Sequence, residues 1–241
     1  SSDEISGMFD FVAPTEFVEL PSKGKYYPQG HPLNNQDVIE IKYMTAKHED
    51  ILTNRSMLKK GIALNRLIEE LIVDKQISGR DLLIGDRNAI MIAARSTAYG
   101  RIYETNVACP SCNKNSKHKF DLEEPKVHHG SQDADIVRNE EGNFIITTPF
   151  SDIDVEVKLM SGREETELMK IYSEKKKSDD AMVSNQLKMF IVSVKGHKTS
   201  KIINYFIDNC PAAETRHIRN VFSDISPDLQ IVGDFECPSC G

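Results

Sequence analysis

The chain has 241 residues, a net charge of −7 and 39% hydrophobic residues, enough length and apolar content for one large core or two small ones. No apolar run is long enough to cross a membrane, and the acidic balance opposes general nucleic-acid binding, which needs a basic footprint. The N-terminus, Ser1-Ser2-Asp3-Glu4, is acidic and does not read as a signal peptide, so a reducing cytoplasm is the expected setting.

Taken in order, residues up to Pro14 read as a flexible N-terminus. Phe17 to Leu20 reads as a strand, and Pro21 to Pro28 as a turn-rich loop. In the next strand Ile39, Ile41 and Tyr43 share one face and Glu40 and Lys42 the other, so the two strands are expected to pair. Thr45 is a good N-cap for a helix starting at Ala46. After Gly61, Leu64, Leu67, Ile68, Leu71 and Ile72 recur at helical spacing. A helix through Ala89–Ala98 is expected to stop at Gly100. Ile102 to Val107 and Lys117 to Leu122 read as the arms of a hairpin.

The polar stretch from 123 to 142 reads as a linker. Phe144 to Thr147 and Val155 to Leu159 form a second hairpin, and Ser161-x-x-Glu164 is a capping box opening a helix whose Lys175-Lys176-Lys177 end suits the negative pole of the helix dipole. The next helix is expected to carry Val183, Leu187, Phe190, Ile191 and Val194 on one face. Helices near Lys201–Asp208 and Pro211–Phe222 follow, then a strand from Gln230 to Phe235.

Two identical tetrapeptides are the most specific signal: Cys109-Pro110-Ser111-Cys112 and Cys237-Pro238-Ser239-Cys240. Each puts two thiolates on one tight turn, followed by Asn113 in one case and Gly241 in the other. Two such turns supply the four sulfur ligands that a structural zinc ion prefers, and four thiolates leave no position open for water or substrate. Compact ribbons separate their knuckles by roughly 15–20 residues; here the two lie about 120 residues apart, which reads as a split ribbon with a large insertion. Closing such a loop costs several kcal/mol of chain entropy, which zinc binding of roughly 10 kcal/mol can offset. Disulfides, a redox pair, or two separate sites drawing on His118, His128 and His129 are the other readings of these cysteines. Cys210, before Pro211, reads as a small apolar residue.

No catalytic constellation emerges. Asp81 and Asp86 read as helix caps, and Arg87 and Arg95 as a solvated helix face. Lys23-Gly24-Lys25 is too short for a phosphate cradle, and no nucleophile elbow occurs. Tyr26 and Tyr27 read either as exposed interface anchors or as a lid over the core; Met8, Phe9 and Phe11 are further candidate contacts.

Four segments, in this order, resemble a known family: Leu20 to Pro28, Asp81-Leu82-Leu83-Ile84-Gly85-Asp86-Arg87, Arg95 to Gly100, and Cys109 to Cys112. The chain is similar to the baseplate hub proteins of T-even-type contractile-tailed bacteriophages, a family that includes a hub subunit and a hub assembly factor. The resemblance is good through the first half and loose through the second. It implies a non-enzymatic role in viral tail assembly, with other phage baseplate hub proteins as partners, in the host cytoplasm during assembly or in the virion tail baseplate. It also implies a short return strand after the second knuckle, beyond Gly241.

The expected fold is α+β and mostly helical: two helical lobes with short β-hairpins, joined by a split zinc-ribbon-like site. The expected divisions are a flexible N-terminus (1–14), an N-terminal lobe with the first knuckle (15–122), a linker (123–142) and a C-terminal lobe with the second knuckle (143–241). The expected ligands of a structural zinc are Cys109, Cys112, Cys237 and Cys240, with no nucleic acid and no membrane segment. The alternative is a zinc-ribbon nucleic-acid or transcription-type module, for which Lys114, Lys117, His118, Lys119 and Phe120 give a small local patch.

Overall fold

The computed structural model describes residues 14–131, 136–174 and 182–241. The Lys175–Lys177 run and the segment holding Met8, Phe9 and Phe11 lie outside these residues. Of the described residues, 38% are helical and 22% are in strands, so the α+β expectation holds but the chain is not mostly helical.

Strands β1 (Thr15–Glu19) and β2 (Val38–Lys42) pair antiparallel, placing Val18, Ile39 and Ile41 inward. Helices α1 (Ala46–Thr53), α2 (Arg55–Lys59) and α3 (Ala63–Leu71) follow. Thr45 is the N-cap of α1, and the apolar spacing noted in the sequence buries Leu67, Ile68 and Leu71 of α3. Helix α4 (Ile84–Tyr99) is the longest among the described residues, and Gly100 stops it at φ 87°. Strands β3 (Ile102–Ala108) and β4 (Asn115–Asp121) form the first long hairpin.

Within the stretch read as a linker, β5 (Lys126–His128) pairs with β10 (Asp228–Gln230), and β6 (Val137–Arg138) joins a four-stranded antiparallel sheet in the order β6, β7 (Phe144–Thr147), β8 (Asp154–Val157), β9 (Ile191–Val194). Helices α5 (Gly162–Glu174), α6 (Met182–Phe190), α7 (Ser200–Asn209) and α8 (Ala212–Ile225) complete the second half. The expected single helical face from Val183 to Val194 is corrected here. Helix α6 ends at Phe190, and Ile-Val-Ser-Val, three of whose four residues are β-branched, continues as β9, where branched side chains pack well on a pleated surface.

Buried apolar side chains form two clusters. One gathers β1, β2, α3 and α4 around Leu20, Leu67, Leu71 and Ile90; the other gathers the four-stranded sheet, α7 and α8 around Phe190, Leu187 and Ile218. Tyr26 packs against both.

Asp86 ties the first cluster together. It is fully buried in α4 and caps nothing, contrary to expectation; the N-cap is Leu83. Its carboxylate accepts bonds from Ser22 N (3.0 Å), Ser22 Oγ (2.6 Å) and Tyr27 Oη (2.6 Å), and Tyr27 Oη in turn accepts from Leu83 N at 3.1 Å. Tyr27 is therefore core, not an interface anchor. Gly24 in the same loop sits at φ +66°, and a Cβ there would lie 2.4 Å from Leu33 and Gln36 backbone atoms, so the turn requires glycine.

Arg87 is also buried, not solvated. Its guanidinium donates to Gly79 O (2.6 Å), Asn65 Oδ1 (2.7 Å) and Glu165 Oε2 (3.0 Å), joining α3, α4 and α5. Half of the capping box of α5 forms as read: Ser161 N donates to Glu164 Oε2 at 2.9 Å, while Ser161 Oγ donates to the same oxygen and accepts from Arg163 N in place of Glu164 N.

Two substitutions test this account. Tyr27→Phe deprives Asp86 and Leu83 N of a partner inside the core, and urea unfolding should show a loss of about 1–3 kcal/mol. The second concerns pH. Burial pushes the Glu156 carboxyl up, but bonds from Asn143, Ser193 and Asn139 outweigh it and hold the group below its ordinary 4.5. A lowered folded-state value stabilises above the ordinary value, and that stabilisation is lost as pH falls through the folded value. Urea midpoints measured from neutral pH downward should therefore fall below pH 4.5, and Glu156→Gln should flatten part of that fall. Asp86, raised by its burial, contributes with the opposite sign and is unchanged in this comparison.

Candidate metal centre

The two knuckles meet. Hairpin β3–β4 carries Cys109 and Cys112 at its turn, and the chain after β10 brings Cys237 and Cys240 to the same place. Cys109 Sγ lies 3.7 Å from Cys240 Sγ, and Cys112 Sγ lies 3.6 Å from Cys237 Sγ. All four sulfurs fall within 4.8 Å of one another. These separations are far beyond a disulfide bond of about 2.05 Å. The two short separations are close to the edge of a tetrahedron whose centre lies about 2.3 Å from each sulfur, about 3.8 Å, and the remaining pairs lie within 4.8 Å.

Each turn is built alike. Asn113 N donates to Cys109 O at 2.8 Å, and Gly241 N donates to Cys237 O at 3.0 Å. Both closing residues have positive φ, 57° for Asn113 and 80° for Gly241, which small or amide-bearing residues tolerate. Backbone N–H groups of Cys112 and Ser111 hold the Cys109 thiol down to about 6, whereas the neighbouring sulfurs of Cys237, Cys112 and Cys109 push Cys240 up to about 12. One thiolate forms readily and a second is opposed by the first. A dication among them would reverse that opposition.

The strand expected from Gln230 to Phe235 does not form there: β10 is Asp228–Gln230 and shares only Gln230 with it. Strand β10 ends at Gln230, and residues 231–236 make no backbone hydrogen bonds among the described residues. This segment instead crosses the inner face of the hairpin. The Phe235 ring stands 5.6 Å from His118, and a Cβ on Gly233 would lie 3.0 Å from His118 Nε2, so glycine permits the close crossing.

The other candidates are not part of the cluster. His118 stacks edge-on against Phe120 at 4.6 Å, and its Nε2 is shielded without a partner. His128 Nε2 bonds Asp224 O, and His129 Nδ1 bonds Pro21 O. Cys210 is half-buried beside Glu214 and packs on the second core. The local patch from Lys114 to Phe120 is divided by the strand pleat. Lys117 and Lys119 are exposed and pair with Glu104, whereas His118 and Phe120 face the crossing segment.

Sequence reasoning missed Asp86 and Arg87 as buried organisers. The signal was present in Gly85: a Cβ there would lie 2.1 Å from Pro227 O, so α4 is pressed against the chain leading into β10 and cannot present a solvated first turn.

Taken together, these features define an α+β protein with two apolar cores whose middle and far end meet at four thiols. Residues 13–241 match the family described as T4 bacteriophage base plate protein, and the chain belongs to that family. No curated protein and no solved structure matches it. No described helix is long and apolar enough to cross a membrane.

Proposed function

We propose that this chain is a non-enzymatic baseplate hub protein or hub assembly factor, acting through contacts with other baseplate hub proteins and stabilised by a structural zinc ion at Cys109, Cys112, Cys237 and Cys240. The observation that carries the reading is the family match over nearly the whole described chain. The sulfur separations support the metal, because no covalent bond and no other ligand is needed to fill a tetrahedral shell. In this reading an N-terminal lobe (15–122) and a C-terminal lobe (143–241) are pinned at one cation.

The contact surfaces are exposed aromatics, one of them on a braced turn. Phe150 is 79% exposed at the tip of the β7–β8 turn, which buried Glu214 fixes by accepting from Ser151 N and Oγ at 2.9 and 2.8 Å. Tyr205 on α7 and Phe17 on β1 are exposed to 71% and 70%. Exposed aromatics of this kind anchor interfaces. The chain's net charge of −7 and the pairing of Lys117 with Glu104, which leaves the hairpin patch with little net positive charge, favour protein partners over nucleic acid.

The metal is tested by Cys109→Ser and by chelation. Either should lower the thermal midpoint of the whole chain in a single transition and release the C-terminal segment, seen as faster thiol labelling at Cys237 and Cys240. Loss of order in one half alone would count against a shared site. The function is tested by adding the purified chain to an infected-cell extract lacking it. Hub assembly should be restored and Cys109→Ser should restore less. No complementation, together with retention on duplex DNA at low salt, would instead select the nucleic-acid module.

A further inference from the structure

A cleft of about 570 Å³ lies between the two cores, away from the four cysteines. Its walls come from the start of α4 (Leu83 to Gly85), the β8–α5 connection (Leu159 and Met160), one face of α8 and the β5–β10 pair. The floor is apolar: Phe190 and Phe222 stack there at 3.9 Å and 9°. Positions 219, 222, 223 and 226 of α8 and the residue after it line the cleft, the i, i+3, i+4, i+7 spacing of one helical face.

The polar complement of this cleft is unbalanced in a specific way. Arg219 makes no hydrogen bond and no ion pair among the described residues, and its Nε is shielded from solvent. A shielded guanidinium N–H without an acceptor costs about 1–3 kcal/mol or more, and native structures rarely leave one so. Lys126 stands at the rim, exposed and equally unpaired. Two carboxylates also line the cleft. Asp228 is occupied by Asn88 Nδ2 at 3.0 Å, and Asp224 bears no partner on its side chain. Their negative charge would repel a dianion, whereas a single carboxylate can take the Arg219 fork, which matches carboxylate geometry.

The geometry points to a binding site for a monoanionic carboxylate carried on a short apolar body, its head on Arg219 and its body over Phe222, whose ring is backed by fully buried Phe190. This goes beyond the hub reading and does not depend on the metal. The same chemistry is found in a free aliphatic acid and in the C-terminal carboxylate of an apolar peptide segment.

The test titrates the full chain, followed by backbone amide NMR shifts, with sodium octanoate, 1-octanol and acetate. Octanoate should bind saturably, moving Leu83–Gly85 and Phe222–Asp228, and the other two should bind about tenfold more weakly or not at all. Arg219→Leu should weaken octanoate about tenfold, and Arg219→Lys should restore part of that. Equal affinity for octanoate and octanol overturns the proposal, as does a folded Arg219→Leu variant that binds octanoate unchanged. Should that variant fail to fold, the octanoate–octanol contrast on the unaltered chain decides alone. A short apolar peptide with a free C-terminal carboxylate, compared with its amide, separates the sources. Tighter binding of the free-acid peptide than of octanoate assigns the site to a protein segment, and the reverse order assigns it to a small acid.

Discussion

The constraint on which this structure depends is the meeting of four sulfurs from two distant turns. Residues 231–236 make no backbone hydrogen bond among the described residues, and the Phe235–His118 contact and a close passage at Gly233 hold this segment against the hairpin. The long loop it closes runs through the whole second core. A cation there would do more than stiffen a hairpin: it would restrict the unfolded ensemble of about half the chain, and its binding energy would become folding energy.

A second tie operates inside the protein and needs no metal. Helix α4 collects contacts from every direction: Ser22 and Tyr27 through Asp86, Asn65, Gly79 and Glu165 through Arg87, and the chain at Pro227 and Asp228 through Gly85 and Asn88. Placing a carboxylate and a guanidinium in adjacent buried positions is costly unless each is fully bonded. Here Asp86 accepts three bonds from two residues of one loop, Ser22 and Tyr27, and Arg87 donates to three residues of different segments, Asn65, Gly79 and Glu165. The pair therefore specifies one arrangement of the loop, α3, α5 and the β10 approach.

Much of the local structure was legible because it follows from short-range rules. The β1–β2 alternation, the Thr45 cap, the Gly100 stop and the Ser161–Glu164 box all depend on residues within a few positions of each other. The cysteine cluster was legible for a different reason: identical turns with identical ligands imply a shared partner whatever the distance. What could not be read was the environment of single charged residues. Asp86 looked like a cap because its neighbours in sequence suggest a helix start, yet its bonds come from Ser22 and Tyr27, some sixty positions earlier. Ile191 to Val194 fitted a helical face, and only the open edge of β8 made a strand preferable. Aromatic exposure was likewise a matter of tertiary context, which buried Tyr27 and left Phe150 in solvent.

The central claim is that one tetrahedral ion joins both knuckles, and X-ray absorption at the zinc edge on the purified chain addresses it most directly. The account predicts a single zinc environment of four sulfur atoms near 2.3 Å. A shell with nitrogen or oxygen ligands, or sulfur numbers near two, would contradict it.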